Sequence, residues 1–479
     1  MKRFVFSLIF LPAFYSLYAQ NNEFELKVTL KPFKNKFIYL GYYYGKQKPI
    51  VDSVLLNNNS NGIFKRARKM EKGIYLVGYP GKTGYFEILI DKEQKFSVIA
   101  DTVNLLNTIK FIGSPDNILF TGYQKFSADK GREIEANKTK LSFAKNNADS
   151  AKWEAAIKKI GNDIQVYRTN LIKQHPTSTI TALLKAMREP EIPVVEKKPG
   201  VKYDSLFAYR YFKDHFWDDT YFYDERLART TFFEPKVDQY FEQLVYPDPD
   251  SVIKELDWML AYASANDEMQ KFLLIKFVNR YITPKYMWDD RVFVYLFEKY
   301  FSEKSYPWLN EKGKKNIFDR AYSMMANQFG TQAADIALPD STGKMQTLFS
   351  LSEPYTVVLF WDPTCSHCKE MLPKIDSIYR AKWKANKVEI FAIAKETDGN
   401  RKDWLDFVNG HHLDNWVHVY NSKADNEARM NNNIPSYYQL YDVQTVPTLY
   451  LLDKDKHILA KKIPFEQIDE VLQYKLKGQ

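Results

Sequence analysis

The feature that most constrains this chain is its pair of cysteines, Cys365 and Cys368, the only two among 479 residues. An apolar run over residues 356–360 leads into them, and a helix-forming run over residues 369–381 follows. A strand that delivers two thiols to the first turn of a helix places them where unpaired N–H groups stabilise a thiolate. The two-residue spacing lets one sulfur attack a disulfide while the other resolves the mixed disulfide.

Two other uses of a C-x-x-C pair are weaker explanations. A zinc site needs further cysteine or histidine ligands at suitable spacing, and the chain has no third cysteine. A purely structural disulfide between Cys365 and Cys368 would close a very short loop, which removes little chain entropy and adds little stability. We therefore expect a redox-active pair that alternates between dithiol and disulfide, with no metal and no bound cofactor.

Three stretches around the cysteines carry a family resemblance: A-D-I-A-L at 334–338, F-W…C-S-H-C…P at 360–373 and Y-D-V-Q-T-V-P-T at 441–448. With them, residues 330–479 resemble the thioredoxin-fold domains of the TlpA/ResA type, which are thiol–disulfide oxidoreductases of bacteria. The resemblance implies a cis bond before Pro447, lying against the cysteines, and a backbone at Val446 that is presented to an extended substrate. It also implies that Trp361 packs under the motif, with Pro363 supporting it.

The resemblance and the position at a helix start assign roles to the motif residues. Cys365 is the candidate nucleophile, and Cys368, one helical turn further on, is the candidate resolving cysteine. Ser366 and His367 lie between them and are expected to tune the reduction potential. A cationic imidazole at His367 would favour the thiolate and so make the pair more oxidising. The alternative for His367 is an exposed side chain without influence.

Two positions depart from the family pattern. Many thioredoxins have a buried Asp two residues before the Trp, where this chain has Leu359. TlpA-like proteins commonly carry a Glu three residues after the second cysteine, where this chain has Met371. Glu370 lies about 100° away round the helix, so the role does not transfer to it. The usual proton acceptor for Cys368 is therefore missing or replaced.

Residues 1–19 have the pattern of a secretory signal, with Lys2 and Arg3 before an apolar run and Ala19 at the expected cleavage point. The run is shorter than the roughly 20 apolar residues of a spanning helix, and Pro12 interrupts it. We expect export to the periplasm or cell envelope of a Gram-negative bacterium, with at most a peripheral membrane association after cleavage. An uncleaved anchor is the alternative.

The remaining chain predicts a multidomain α+β protein, because 479 residues exceed what one core usually organises. Residues 20–118 contain short runs of period two, beginning at Phe24, and predict a β-sandwich-like domain. Residues 119–329 show helical spacing and predict an α-helical domain. Both resemble domains of unknown function that precede thioredoxin-like domains in exported bacterial proteins. Nothing in either region indicates catalysis.

A group of polar residues, His411, His412, Asp414 and His418, could suggest a metal site. Adjacent histidines point apart in most conformations, and the spacing matches no established ligand pattern. We therefore expect these residues in a surface loop.

The leading hypothesis is an exported thiol–disulfide oxidoreductase that exchanges with protein thiols or disulfides and is recycled by an unknown thiol electron donor. One alternative is a cell-envelope binding or assembly protein in which the redox domain is auxiliary. A thiol peroxidase is disfavoured, because Asp362 stands where such sites have a Thr. The net charge is +9, but the basic residues are interspersed with acidic ones and form no dense cluster in the sequence, which argues against nucleic-acid binding.

Overall fold

The computed structural model describes residues 23–194, 204–397 and 400–477. The predicted signal segment, 1–19, lies outside these ranges. The chain forms two compact units, Met1–Leu244 with Met259–Phe272, and Val245–Trp258 with Leu273–Gln479. Among the residues described, no helix is both long and apolar enough to cross a bilayer.

The first unit begins with two four-stranded sheets that share one apolar core. Strand β1 shows why they form: its apolar residues alternate with polar ones, and every second side chain is buried. The sheets are ordered β4-β1-β7-β8 and β3-β2-β5-β6. Their strands are β1 (Phe24–Lys31), β2 (Phe37–Tyr42), β3 (Ile50–Leu55), β4 (Asn61–Arg66), β5 (Gly73–Gly78), β6 (Tyr85–Ile90), β7 (Lys95–Asp101) and β8 (Lys110–Ile112).

Helices follow the sheets, and the two longest, of 28 residues each, pack against each other. Side-chain caps fix several helix starts; the Asn146 side chain, for example, accepts a hydrogen bond from the backbone N–H of Asp149. The helices of the first unit are α1 (Leu105–Thr108), α2 (Pro115–Ser142), α3 (Asn147–Gln174), α4 (Thr179–Ala186), α5 (Phe207–His215) and α6 (Phe233–Gln239). The next two helices, α7 (Pro249–Ala263) and α8 (Asp267–Tyr281), each have residues assigned to both units.

The second unit contains a five-stranded sheet of order β13-β12-β11-β14-β15. Strands β11 to β13 are parallel, and β14 and β15 are antiparallel to their neighbours. The central strand β11 is buried on both faces and therefore carries an unbroken apolar run. The strands of this unit are β9 (Ala337–Pro339), β10 (Met345–Thr347), β11 (Tyr355–Trp361), β12 (Val388–Lys395), β13 (Val417–Asn421), β14 (Thr448–Leu452) and β15 (Ile458–Lys461).

Helices cover both faces of this sheet and complete two apolar cores. The helix that follows β11 starts beside the cysteines, and the closing helix follows β15. The remaining helices are α9 (Asp290–Leu296), α10 (Glu311–Met325), α11 (Ser366–Ile378), α12 (Arg401–Gly410), α13 (Lys423–Asn431), α14 (Tyr437–Leu440) and α15 (Phe465–Lys477), and π-helical turns extend α6, α9 and α11 at Tyr240–Leu244, Phe297–Phe301 and Tyr379–Trp383.

Buried charges join helical residues to the sheet within the second unit. Lys461, on β15, forms an ion pair with Asp290 at the start of α9, and each side chain is only 2% exposed. Lys461 Nζ also donates to the backbone carbonyl of Asn327 at 2.6 Å. Arg320, on α10, pairs with the buried Asp442. The residues just before the thioredoxin-like part are therefore bonded into its core.

The predicted fold class is confirmed: the chain is a multidomain α+β protein with strands first, helices in the middle and, last, a five-stranded mixed sheet covered by helices on both faces. The predicted boundaries at 118 and 329 remain predictions.

Candidate active site

Cys365 lies at the N-cap of α11, directly after the loop that leaves β11. Its sulfur accepts a hydrogen bond from the backbone N–H of Cys368 at 3.4 Å, and its thiol lies 3.8 Å from the carbonyl oxygen of Val446, to which it donates. The side chain is half-buried, and both cysteines are free thiols. A sulfur in this position faces the positive end of the helix dipole, which stabilises its thiolate form.

Cys368 sits one turn into α11 and is completely buried. Burial raises the pKa of its thiol well above the ordinary value, and the neighbouring Cys365 sulfur and Asp362 carboxylate act in the same direction. The two thiols therefore differ in environment, because one is open to solvent and the other is kept protonated. This is the asymmetry that an attacking and a resolving cysteine need.

Asp362 follows the end of β11 and is 4% exposed. Its carboxylate accepts hydrogen bonds from the backbone N–H of Thr364 at 2.7 Å and from the Thr364 hydroxyl at 2.6 Å. Burial tends to raise the pKa of Asp362, but hydrogen bonds from Thr364 and Thr397 and the charge of Lys395 outweigh it, and the pKa lies below the usual value. A negative charge is thus held beside the motif.

Tyr438, the second residue of α14, completes the buried surroundings of the motif. Its ring contacts Phe360 at 5.3 Å, and its hydroxyl is buried without a hydrogen-bond partner among the described residues. Burial raises the pKa of Tyr438 well above its ordinary value, and the nearby Asp362 and Cys368 add to this. Neither Asp362 nor Tyr438 is recognisable from the sequence as a neighbour of Cys368. Tyr438 lies far along the chain, and no local pattern around Asp362 marks its carboxylate as buried beside the motif.

The other predicted site residues are distributed around these groups. The Val446–Pro447 peptide bond is cis, and the Val446 carbonyl faces the Cys365 thiol. Trp361 is fully buried, with its ring 5.3 Å from that of Phe407. Pro363 is buried, whereas Ser366 and His367 are exposed to solvent.

The two positions that depart from the family pattern hold apolar side chains near the motif. Leu359 is fully buried in the core beneath the motif, and Met371 packs against that core from α11. Neither the Leu359 nor the Met371 side chain can accept a proton. The carboxylate near Cys368 belongs instead to Asp362, at a different position in the sequence.

The prediction that His411, His412, Asp414 and His418 share a surface loop is wrong for His418. His418 belongs to β13, and its Nε2 hydrogen-bonds the carbonyl oxygen of Leu413 at 2.8 Å. Burial lowers the pKa of His418 to about 4, so the imidazole is neutral near pH 7. The apolar residues around it, which pair β13 with the buried β12, explain why this segment is a strand. Within the described ranges, no cluster of three or more potential metal ligands occurs.

Comparison with protein families gives two partial matches. Residues 353–458 match a family described as thioredoxin-like, and residues 164–327 match a domain of unknown function, DUF5106. The first match spans β11, both cysteines and Pro447. The C-terminal part of the chain is therefore a thioredoxin-like domain, as its sheet order also indicates. No curated protein matches the chain.

Several solved structures are similar to parts of the chain, at low identity and low TM-score. A thioredoxin-like protein from Bacteroides caccae is 20% identical, covering 59% of this chain and 98% of that one, with a TM-score of 0.45. The thioredoxin domain of a thiol-disulfide oxidoreductase from Bacteroides vulgatus is 22% identical over 30% of this chain and 97% of that one, with a TM-score of 0.26. A thiol:disulfide interchange protein from Bacteroides sp. is 23% identical over 31% and 91%, with a TM-score of 0.27.

Proposed function

We propose that this protein is an exported thiol–disulfide oxidoreductase that exchanges its Cys365–Cys368 pair with the disulfides or thiols of other proteins. The observation that carries the proposal is the different environment of the two sulfurs. Cys365 is half-buried at a helix N-cap, while Cys368 is fully buried one turn behind it. A metal-binding or purely structural pair would not require this difference.

The exchange has two steps. In the first, the thiolate of Cys365 attacks one sulfur of a substrate disulfide; a bond forms between them, the substrate S–S bond breaks, and the released sulfur takes a proton. In the second, Cys368 loses its proton and attacks the Cys365 sulfur, which closes the intramolecular disulfide and releases the other substrate thiol. The substrate gains two electrons and two protons, and the protein pair loses them. An external dithiol reverses these steps on the protein.

Deprotonation of Cys368 is the demanding part of this sequence. Its buried thiol has a raised pKa, so little thiolate is present near pH 7. While Cys365 is joined to the substrate it cannot carry a negative charge, which removes one of the influences that raise the pKa of Cys368. The first step therefore favours the second.

The test uses the mature full-length chain with dithiothreitol as reductant and insulin as substrate. Reduction of insulin should be catalysed by the wild type and abolished in Cys365→Ser, because the attacking sulfur is lost. In a separate incubation without dithiothreitol, Cys368→Ser should form the first mixed disulfide with insulin and retain it, since neither a second protein thiol nor an external thiol is present to release it. Equal activity of Cys365→Ser and wild type would refute the proposal.

Export is part of the proposal and rests on the signal-like residues 1–19. An oxidising compartment is where disulfides persist and where an exchange enzyme has substrates. The remaining partners would be protein thiols or disulfides and a thiol electron donor. Fractionation of a bacterium that produces the chain should find it outside the cytoplasm, and retention in the cytoplasm would refute this part.

A further inference from the structure

A cavity of about 810 Å³ adjoins the loop that contains Pro447. On one side it is lined by Met371 from α11 and by Thr445 and Pro447. On the other side it is lined by residues 283–288, the segment between α8 and α9 that precedes the thioredoxin-like domain in sequence. All of these residues belong to the second unit. Residues 283–288 thus form a wall of the cavity beside Pro447, although they precede the thioredoxin-like domain in sequence.

This wall, residues 283–288, is held in place by its own contacts. The backbone N–H groups of Lys285 and Tyr286 both donate to the Asp289 carboxylate at 3.0 Å. The Tyr286 and Trp288 rings stack at 5.6 Å, and Trp288 Nε1 donates to the carbonyl oxygen of Pro247 at 2.8 Å. Met287 packs against the core beneath the redox motif. The cavity is therefore preformed, so a ligand need not order this segment when it binds.

The lining indicates which ligand chemistry suits the cavity. Its buried acidic groups are paired, Asp290 with Lys461, and Asp442 with Arg320 and Lys462. These ion pairs neutralise the buried charges of the lining, and the remaining charged residues that line the cavity, Lys285 and Glu470, are exposed to solvent. The remaining surface near the cysteines is largely apolar, with Met287, Met371 and Pro447 among its residues. An uncharged, apolar ligand fits this surface better than an anion or a cation.

We propose that this cavity binds the apolar stretch of polypeptide next to a substrate's cysteine, and that Tyr286 and Met287 determine this specificity. The inference rests on the proposed function, because a polypeptide disulfide is the substrate. Pro447 lines the cavity, and the carbonyl oxygen of the residue before it lies 3.8 Å from the Cys365 sulfur. When a substrate polypeptide is joined to Cys365 through its own cysteine, the side chains next to that cysteine therefore lie close to the cavity.

The two walls also restrict the form of the substrate. In a backbone that is extended beside the Val446 carbonyl, successive side chains point to opposite faces, so every second side chain can enter the cavity. A disulfide inside a rigid, folded protein cannot present its flanking residues in this way. The preferred substrate class is thus a disulfide in an extended, unfolded polypeptide segment that carries apolar residues near the cysteine.

The test compares three mixed disulfides with the same nitrobenzoate leaving group: a short peptide with Leu and Phe beside its cysteine, the same peptide with Ser at those positions, and glutathione. Single-turnover rates of the pre-reduced full-length chain, measured over a range of excess substrate concentrations, give a maximal rate and a KM for each. We expect the wild type to prefer the apolar peptide, and Tyr286→Ala and Met287→Ala each to lower the preference for the apolar over the serine peptide about fivefold, through KM.

The matched control is Tyr474→Ala, a 78% exposed tyrosine on α15 that does not line the cavity. It should retain the wild-type preference. Tyr286 is itself 42% exposed, so its removal leaves the core intact even if Met287→Ala disturbs packing. An unchanged preference in Tyr286→Ala, or an equal loss on all three substrates, would overturn the inference while leaving the proposed function in place. Failure of the wild type on every substrate, glutathione included, would instead defeat the proposed function.

Discussion

Removal of the buried carboxylate of Asp290 should destabilise the second unit strongly. Asp290 and Lys461 are each 2% exposed and form an ion pair, so Asp290→Ala leaves an ammonium group in the core without its counter-charge. Loss of one partner of a buried pair typically costs about 3–5 kcal/mol of unfolding free energy. We expect a value near the lower end, because the backbone carbonyl of Asn327, at 2.6 Å, and its side-chain oxygen, at 3.3 Å, still accept from Lys461.

The pKa directions support this magnitude. Burial raises the pKa of Asp290 and lowers that of Lys461, so for each group desolvation outweighs the attraction of its partner. The pair as a whole therefore contributes little net stability. The double variant Asp290→Leu with Lys461→Met should consequently lie within about 1 kcal/mol of the wild type or above it, unlike the single variant.

The single variant should also show a specific pH dependence. Without Asp290, the pKa of Lys461 in the folded state remains depressed, so the unfolded chain binds a proton that the folded chain does not hold. Stability then rises with pH until the lysine of the unfolded chain also loses its proton, near its ordinary pKa of about 10.4. The difference in unfolding free energy between the wild type and Asp290→Ala should accordingly become smaller between neutral pH and about pH 10.

The assay is urea unfolding of the full-length chain followed by circular dichroism, with the free energy extrapolated to zero denaturant. Asp319→Ala is the control, because Asp319 and Lys315 form an ion pair whose side chains are 62% and 75% exposed. Asp319→Ala should lower the unfolding free energy by less than about 1 kcal/mol. A loss below about 1 kcal/mol for Asp290→Ala, or a double variant as unstable as the single, would refute the reasoning.

Two further predictions concern the cysteines. Asp362→Asn removes a negative charge that raises the pKa of Cys368, so the pH dependence of substrate release from a Cys365 mixed disulfide should shift to lower pH. A shift to higher pH would instead identify Asp362 as the acceptor of the Cys368 proton. His367→Gly removes an imidazole beside the motif, and the reduction potential, measured against glutathione buffers, should fall by tens of millivolts, since about 30 mV corresponds to 1.4 kcal/mol. An unchanged potential would mean that the exposed His367 has no influence.

Local patterns in the sequence were sufficient to predict most elements of the thioredoxin-like domain. The strand expected from the apolar run over 356–360 is Tyr355–Trp361, and the helix expected over 369–381 is Ser366–Ile378, which the π-helical turn Tyr379–Trp383 extends. These elements arise from runs of apolar residues and from turns between them, which act over a few neighbouring residues. Short helices were harder to predict: α13 has no buried residue, and α14 has only four residues, so neither shows a strong apolar period.

By itself, the sequence determined that a cysteine pair stands between a strand and a helix, because that placement depends only on neighbouring residues. The tertiary structure alone decided which distant groups surround the pair. Tyr438 reaches the buried motif residues from α14, and Asp290 pairs with a lysine 171 residues away. Likewise, residues 283–288 become one wall of the cavity beside Pro447. The partner of a buried polar group depends on how the whole chain folds. The local pattern of apolar residues predicts single helices and strands but not which distant residues meet.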